Sequence, residues 1–154
     1  MVGKTPRILK NERQRMDVIK SHCGCLPCLL LGHPDRHTTI EHVTQAGRRM
    51  TQDSEQHKWT IGMCMWHHFG VCDRGRHKQE MYGDFGPSFA HGRKPFEEYF
   101  GDEVDILVPV QDYLLQLFAD DPWPEYTISA KAARLTRDKW IHLNANAHSQ
   151  SSGR

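Results

Sequence analysis

The pattern of apolar and polar positions predicts two short β-strands in the first half of the chain, set among helices. Residues 5–22 place their apolar side chains near one face of a weak helix, and the other face is basic. Residues 38–44 and 59–64 are rich in β-branched and aromatic types and favour strands. A helix could begin near Trp66, directly after the second run. The second strand therefore leads into a strand–helix corner.

The second half of the chain is predicted to be helical after a long loop. Residues 70–92 contain five glycines and favour a loop. A short helix over residues 95–100 follows, opened by a proline and ended by a glycine. Apolar residues recur at helical spacing over 103–119, and a last helix is expected from Ser129 through Leu143.

These elements amount to one α+β domain with tails, which fits a length of 154 residues. We expect a basic N-terminal helix or arm over residues 1–22 and a core over residues 23–101. Helices within residues 102–143 would pack on that core. The polar residues 144–154 would form a disordered tail.

Charge is distributed unevenly along the chain, although the formal net charge is only +1. Residues 1–78 carry 13 Lys and Arg against 7 Asp and Glu, whereas residues 79–154 carry 7 against 12. Nine of the 11 His and all five Cys lie between residues 22 and 91. A positive region rich in metal ligands suits a polyanion such as nucleic acid, although uneven charge is also common on an ordinary solvated surface.

Nothing in the sequence indicates a membrane or an export pathway. No apolar run approaches the roughly 18 residues of a membrane span. The first residues are not followed by the apolar core of a signal peptide. We therefore expect a cytoplasmic protein, in which an odd number of Cys argues against a disulfide scaffold and for metal ligation.

Two pairs of Cys and His residues have the spacing of a structural zinc site. Cys25 and Cys28 form a Cys-x-x-Cys knuckle in a loop rich in Gly and Pro, and Cys64 and His67 form a Cys-x-x-His pair. Four ligands of these types suit a closed tetrahedral zinc site. Cys23 is an alternative first ligand, although only one residue separates it from Cys25.

A second set of side chains lies beside these pairs. Glu41 and His42 fall on the first predicted strand, and His68 follows His67 on the predicted helix. Adjacent helical residues point about 100° apart, so His68 would face away from a zinc ion held by His67. The strand and the helix would then form a cleft with a His on each wall.

The order of these motifs resembles that of the HNH endonucleases, whose fold is a ββα-metal hairpin and helix. The matching residues are Cys25-x-x-Cys28, Glu41-His42, His57 and Cys64-x-x-His67-His68. The likeness is closer to the phage Ref proteins, which are nucleases that act with the bacterial RecA recombinase filament. It rests on Leu26-Pro27-Cys28, on His42-Val43 with Ala46-Gly47-Arg48, on His57-Lys58, and on Cys64-Met65-Trp66-His67-His68.

The resemblance implies a metal-dependent DNA endonuclease of phage origin that acts in recombination or repair, with a zinc-stapled HNH core over residues 23–101. It implies His42 as the general base and His68 as a ligand of a catalytic divalent cation. His91 would be the second ligand, with His77 as the alternative. Glu41 would be a further ligand unless it points to the opposite face of its strand.

The resemblance also implies further roles and partners. His57 stands nearest to the position where most HNH sequences carry Asn, and it would orient the catalytic groups. The cofactors would be a structural Zn²⁺ and a catalytic Mg²⁺ or Mn²⁺, with Zn²⁺ as an alternative catalytic ion, and the partners would be DNA and a RecA filament. Basic residues near the motifs would bind phosphates, namely Arg48, Arg49, Lys58, Arg93 and Lys94.

Two other classes of protein fit the same motifs. One is a zinc-binding adaptor for DNA or protein that has the core but no catalytic turnover. The other is a structural accessory protein that uses its acidic second half as a partner surface. His42 and His68 distinguish these classes from a nuclease, because an adaptor has no need for both.

Overall fold

The computed structural model describes residues 12–34, 36–43 and 59–152, and these form a small α+β fold that is mostly helical. The α-helices of this part of the chain, numbered in order, are α1 (Glu12–Val18), α2 (Leu26–Leu30), α3 (Met65–Phe69), α4 (Lys78–Phe85), α5 (Arg93–Phe100), α6 (Val108–Asp120) and α7 (Ala130–Ser152). Shorter turns lie between them, π-type over Ile19–Cys23 and Glu103–Leu107 and 3₁₀ over Phe89–His91.

Two strands, β1 (Thr39–His42) and β2 (Thr60–Met63), pair antiparallel, so that Glu41 lies opposite Ile61 and His42 opposite Thr60. The backbone N–H of Gly62 donates to the side-chain Oε1 of Gln111 on α6 at 3.0 Å. That bond satisfies a β2 donor with a helix side chain, so α6 covers this edge of the sheet.

Gly62 is also the point of closest approach between β2 and the segment before α2. A Cβ atom at this position would lie 2.4 Å from the backbone oxygen of Gly24, which is closer than real contacts allow. Gly24 precedes Cys25, and Gly62 lies two residues before Cys64. The absence of a side chain at Gly62 therefore lets the two predicted ligand pairs approach one another.

The main core joins the sheet to the C-terminal helices. Its fully buried side chains come from α2, α5 and α6 as well as from β2, and α7 packs against both α2 and α6. Leu29, Phe100 and Leu114 are 0% exposed, and each such side chain contributes about 1.5–3 kcal/mol by leaving water. Helices from residues 102–143 thus share one core with the sheet.

Arg15 on α1 is part of this scaffold, although its basic helix face suggested an exposed arm. Its side chain is 2% exposed, and its guanidinium donates to the hydroxyl and carbonyl oxygens of Thr60, both at 2.9 Å. It also forms an ion pair with Asp112 on α6 at 2.5 Å. Arg15 therefore ties together α1, β2 and α6.

Three segments differ from the sequence-based expectation. The stretch 70–92, expected to be a loop, contains α4 and a 3₁₀ turn, because the backbone N–H of His77 donates to Glu80 and caps α4. The knuckle after Cys25 is the helical turn α2, with its proline in the first turn where no N–H is needed. The last helix continues to Ser152 instead of ending at Leu143.

Within the described ranges, none of the helices combines the length and the apolar character that a bilayer crossing requires.

Candidate metal centres

Four side chains converge at the junction of α2 and α3. The Sγ atoms of Cys25, Cys28 and Cys64 lie 3.4, 3.4 and 3.3 Å from Nδ1 of His67, and the Sγ atoms of Cys28 and Cys64 are 3.7 Å apart. A tetrahedral zinc ion would separate two sulfurs by about 3.8 Å and a sulfur from a nitrogen by about 3.6 Å. The cluster therefore has the dimensions of a Cys₃His zinc site and could hold that ion.

The orientation of His67 suits metal binding. Its Nε2–H donates to the backbone oxygen of Phe85 at 2.6 Å, which leaves the lone pair of Nδ1 directed at the three sulfurs. The hydroxyl of Ser88 donates to the backbone oxygen of His67, and the indole N–H of Trp66 donates to that of Gly86. The last residue of α4 thus fixes the imidazole, and the segment after α4 holds the backbone of α3 next to it.

The thiols themselves favour a bound cation. Burial raises the pKa of Cys25, whereas hydrogen bonds from Cys25 and Cys28 hold the pKa of Cys64 far below its usual value. One thiolate is therefore stabilised by its neighbours, and the remaining thiols need a stronger positive charge to ionise. Zinc supplies such a charge.

The predicted alternative ligand, Cys23, lies elsewhere. It is fully buried in the main core, and it does not belong to the group formed by Cys25, Cys28, Cys64 and His67. Burial raises the pKa of its thiol to about 12, which is the behaviour of a small hydrophobic residue. The structure thus places Cys25, and not Cys23, in the cluster.

His68, the next residue on α3, points into a different environment. Its Nε2 lies 2.9 Å from Oε1 of Glu41, and its Nδ1 lies 2.8 Å from the hydroxyl oxygen of Thr39. The Thr39 hydroxyl donates its proton to the backbone oxygen of Met63, so Nδ1–H of His68 is the donor to Thr39. Nε2 then presents a lone pair next to a carboxylate oxygen.

The pairing of His68 with Glu41 has the geometry of two adjacent ligands of one cation. Ligands about 2.1 Å from an octahedral Mg²⁺ lie about 3.0 Å apart when they are neighbours in its shell. Thr39 and Glu41 share a face of β1, as the alternation of side chains along a strand requires. Glu41 is therefore on the side of the strand that faces α3.

His42 is the last residue of β1 and is exposed. Burial lowers the pKa of His68, and the charge of the nearby His42 lowers it further. A lowered pKa keeps His68 neutral at physiological pH, which is the form that binds metal. The site is thus enclosed at Glu41 and open to solvent at His42.

Glu103 is a buried carboxyl group behind Glu41 that the sequence analysis did not single out. It is 0% exposed, no N–H or hydroxyl donor of the described residues reaches its oxygens, and its carboxyl group interacts with that of Glu41. Burial raises the pKa of Glu41 to about 7, and burial together with the charge of Glu41 raises the pKa of Glu103 to about 8. The charge of Arg93 lowers both pKa values. These carboxyl groups therefore gain from any positive charge placed against them.

The other predicted ligands of the catalytic cation lie outside this pair. His91 packs edge-on against the ring of Trp66 and next to Gly70, and it does not belong to the group of potential metal ligands found among the described residues. His77 is the N-cap of α4.

The predicted phosphate-binding residues divide into two groups. Arg93 and Lys94 begin α5, and the Arg93 guanidinium lies 5.4 Å from the centre of the Phe89 ring. The remaining residues with predicted roles in binding or orientation lie outside the described part of the chain, namely Arg48, Arg49, His57 and Lys58.

Comparison with known proteins gives one family. A family model described as recombination enhancement, RecA-dependent nuclease matches residues 9–115. This range includes every residue of the Cys₃His cluster as well as Glu41, His42, His68 and Glu103. Neither the curated proteins nor the solved structures give a match to the chain.

Proposed function

Because the chain belongs to the family of RecA-dependent nucleases of recombination enhancement, we propose that it is a divalent-metal-dependent DNA endonuclease of the HNH type and of phage origin. The observation that carries this proposal is the 2.9 Å approach of His68 Nε2 to Glu41 Oε1, with His42 next to it on β1. A structural adaptor would have no use for such a pair beside a complete zinc cluster.

We assign the two metal sites to different residues of the same strand–helix corner. Cys25, Cys28, Cys64 and His67 would hold a structural zinc ion, which would fix α2 to α3. Glu41 and His68 would hold a catalytic Mg²⁺ or Mn²⁺, since a carboxylate oxygen and a neutral imidazole nitrogen are both ligands of such ions. His91 is not needed in this assignment, because a carboxylate and an imidazole already fill two adjacent positions.

The side chains divide the work of phosphodiester hydrolysis. A divalent cation supplies the positive charge that polarises the scissile phosphate and stabilises the leaving 3′ oxygen. His42, exposed at the open edge of the site, accepts the proton of the attacking water. Thr39 fixes the tautomer of His68 through the hydrogen bond to Nδ1. Arg93 and Lys94 contact phosphates beside the cleaved bond.

The family description points to recombination as the process and to RecA as the partner. We propose that the substrate is DNA within or next to a RecA filament, which places the protein in the cytoplasm of the host cell. The filament would position the DNA, so that this small domain needs only the chemistry of cleavage.

The test is a nicking assay on plasmid DNA and on RecA-coated DNA with Mg²⁺ or Mn²⁺. We expect cleavage by the unmodified protein, and none by His68→Ala or Glu41→Gln at the same zinc content. His142→Ala serves as a control, because His142 is an exposed residue of α7. DNA binding without cleavage by the unmodified protein under every condition would favour a non-catalytic adaptor.

A further inference from the structure

Exposed apolar side chains are concentrated around α3. Of the seven large apolar or aromatic side chains that are exposed in the described part of the chain, three lie within residues 65–71. They are Met65, Phe69 and Val71, which are 43%, 53% and 48% exposed. Single exposed apolar side chains are normal, whereas a group of them marks a binding surface. We call these three side chains the α3 surface.

The backbone at the end of α3 holds this surface together. Met65 and Phe69 are four residues apart and share a face of the helix. The backbone N–H of Val71 donates to the backbone oxygen of Met65 at 3.1 Å, which folds Val71 back beside them. The turn needs Gly70, whose φ is +74° and where a Cβ atom would lie 2.8 Å from Nε2 of His91. The α3 surface is therefore formed by the fold itself.

The ring of Phe69 lies flat against the imidazole of His68. The two ring centres are 3.8 Å apart, and the ring planes differ by 20°. Since the imidazole covers one face of the ring, the exposure of Phe69 comes from its other face and its edges. His68 faces Glu41 at the proposed cation site. The α3 surface therefore begins at a side chain proposed to bind the cation.

The size of the α3 surface limits what it can bind. Three side chains are far fewer than the about 20–30 residues that each partner contributes to a stable protein interface. A nucleobase, in contrast, needs only one exposed aromatic ring on which to stack.

The charges that follow the α3 surface along the chain also favour nucleic acid. Residues 65–78 contain the basic side chains of Arg74, Arg76 and Lys78 against the one acidic side chain of Asp73. Arg74 and Lys78 are exposed. Proteins that bind single strands combine such positive charges, which contact phosphates, with an aromatic ring on which a base stacks.

We propose that Phe69 is a stacking site for an unpaired DNA base, which lies on the open face of its ring with Met65 and Val71 at the edges of the base. This inference deepens the proposed function and rests on it, because it takes DNA as the substrate and places a base beside the cation site. Neighbouring base pairs cover both faces of a base inside a duplex. The site therefore takes a base that is single-stranded or turned out of the duplex.

The experiment measures binding of fluorescein-labelled oligodeoxythymidine to the zinc-loaded full chain by fluorescence anisotropy, without Mg²⁺ or Mn²⁺. A second oligonucleotide has the same backbone with abasic sites in place of the bases. We expect the unmodified protein to bind oligodeoxythymidine more tightly than the abasic strand. Phe69→Leu should weaken binding to oligodeoxythymidine by about 5–150-fold, the equivalent of stacking one base on an aromatic ring, and leave binding to the abasic strand unchanged.

Two further variants serve as controls. Tyr126→Leu removes an aromatic ring that is 60% exposed between α6 and α7, and it should bind both strands as the unmodified protein does. Phe69→Trp keeps an aromatic ring at the proposed site and should bind oligodeoxythymidine at least as tightly as the unmodified protein.

Each failure has its own signature. Equal affinity of the unmodified protein for the two strands, or binding to neither, would refute the stacking site. A Phe69→Leu protein that loses affinity for both strands equally would also refute it, since the ring would then support the fold. Cleavage that accompanies base-independent binding would overturn only the role of Phe69. Base-dependent binding without cleavage under any condition would overturn the nuclease function and leave the stacking site standing.

Discussion

His67 and His68 are neighbours on α3, yet their imidazoles lie in opposite environments. His67 is fully buried, and its Nδ1 faces three sulfurs that complete a tetrahedron. His68 is half-buried, and its Nε2 faces one carboxylate at a site whose edge is open at His42. The first environment is closed by four protein side chains, whereas the second is open to solvent at His42.

Under the proposed function, this difference lets one turn of helix serve structure through His67 and chemistry through His68. The Cys₃His cluster lies in a small core of its own, with Trp66, Met81 and Phe85. Metal bound there would contribute to folding. The environment of His68 offers one carboxyl group and one imidazole nitrogen instead, which in the proposed function would bind a divalent cation.

The largest expected effect on stability comes from removing zinc or a zinc ligand from the Cys₃His cluster around His67. Cys28→Ser or chelation of zinc should unfold the region around α2 and α3, because structural zinc binding is worth about 10 kcal/mol, and a domain is stable by about 5–15 kcal/mol. Circular dichroism and zinc analysis would measure the loss. Cys72→Ser is the matched control, since Cys72 is half-buried beside the cluster but is not one of its four ligands.

A well-folded Cys28→Ser protein without zinc would show that the cluster is dispensable. The claim that the environment of His67 stabilises the fold would then be wrong.

Substitutions around His68 are expected to reduce cleavage without unfolding the protein. His42→Ala should lower the cleavage rate by about 10²–10⁴-fold, as the loss of a general base does, because His42 is exposed and carries little of the packing. Its zinc content and melting temperature should match those of the unmodified protein. If His42→Ala lost zinc instead, His42 would belong to the structural site and the two environments would not be separate.

A smaller effect is expected at the glycine that lets the two ligand pairs approach. Gly62→Ala would place a Cβ atom 2.4 Å from the backbone oxygen of Gly24, and we expect it to destabilise the fold by about 1–3 kcal/mol. Denaturant unfolding measures the change. Gly83→Ala on α4 meets no atom within 4 Å and should be neutral or stabilising by up to about 1 kcal/mol.

Equal stability of the two alanine variants would mean that the approach of β2 to Gly24 is not tight. The proximity of the two ligand pairs would then need another explanation.

Local sequence signals predicted the α+β class, both strands and the residues that form the Cys₃His cluster, because zinc ligands follow fixed spacings at turns. They also placed Glu41, His42 and His68 on the elements that the structure gives them. Which face of β1 carries Glu41 depended on the register of the sheet, and that is set by pairing over a distance.

Other features were beyond the reach of such signals. Glu103 is far from Glu41 in sequence and lies within an acidic stretch that is typical of a solvated surface, so its burial follows only from the packing of α5 and α6 against the sheet. Helix α4 was missed because His77, its N-cap, is not among the residues that usually cap helices. Arg15 appeared exposed because its partners, Thr60 and Asp112, come from distant elements.

The measurement that most directly tests the separation of the two environments is zinc content together with cleavage rate in His67→Ala and His68→Ala. We expect His67→Ala to lose its zinc and to melt at a lower temperature. His68→Ala should keep about one zinc ion per chain and its melting temperature, and it should lose cleavage, with partial recovery at higher Mn²⁺ concentration. Identical defects in the two variants, or full activity in His68→Ala, would contradict the assignment of neighbouring imidazoles to two sites.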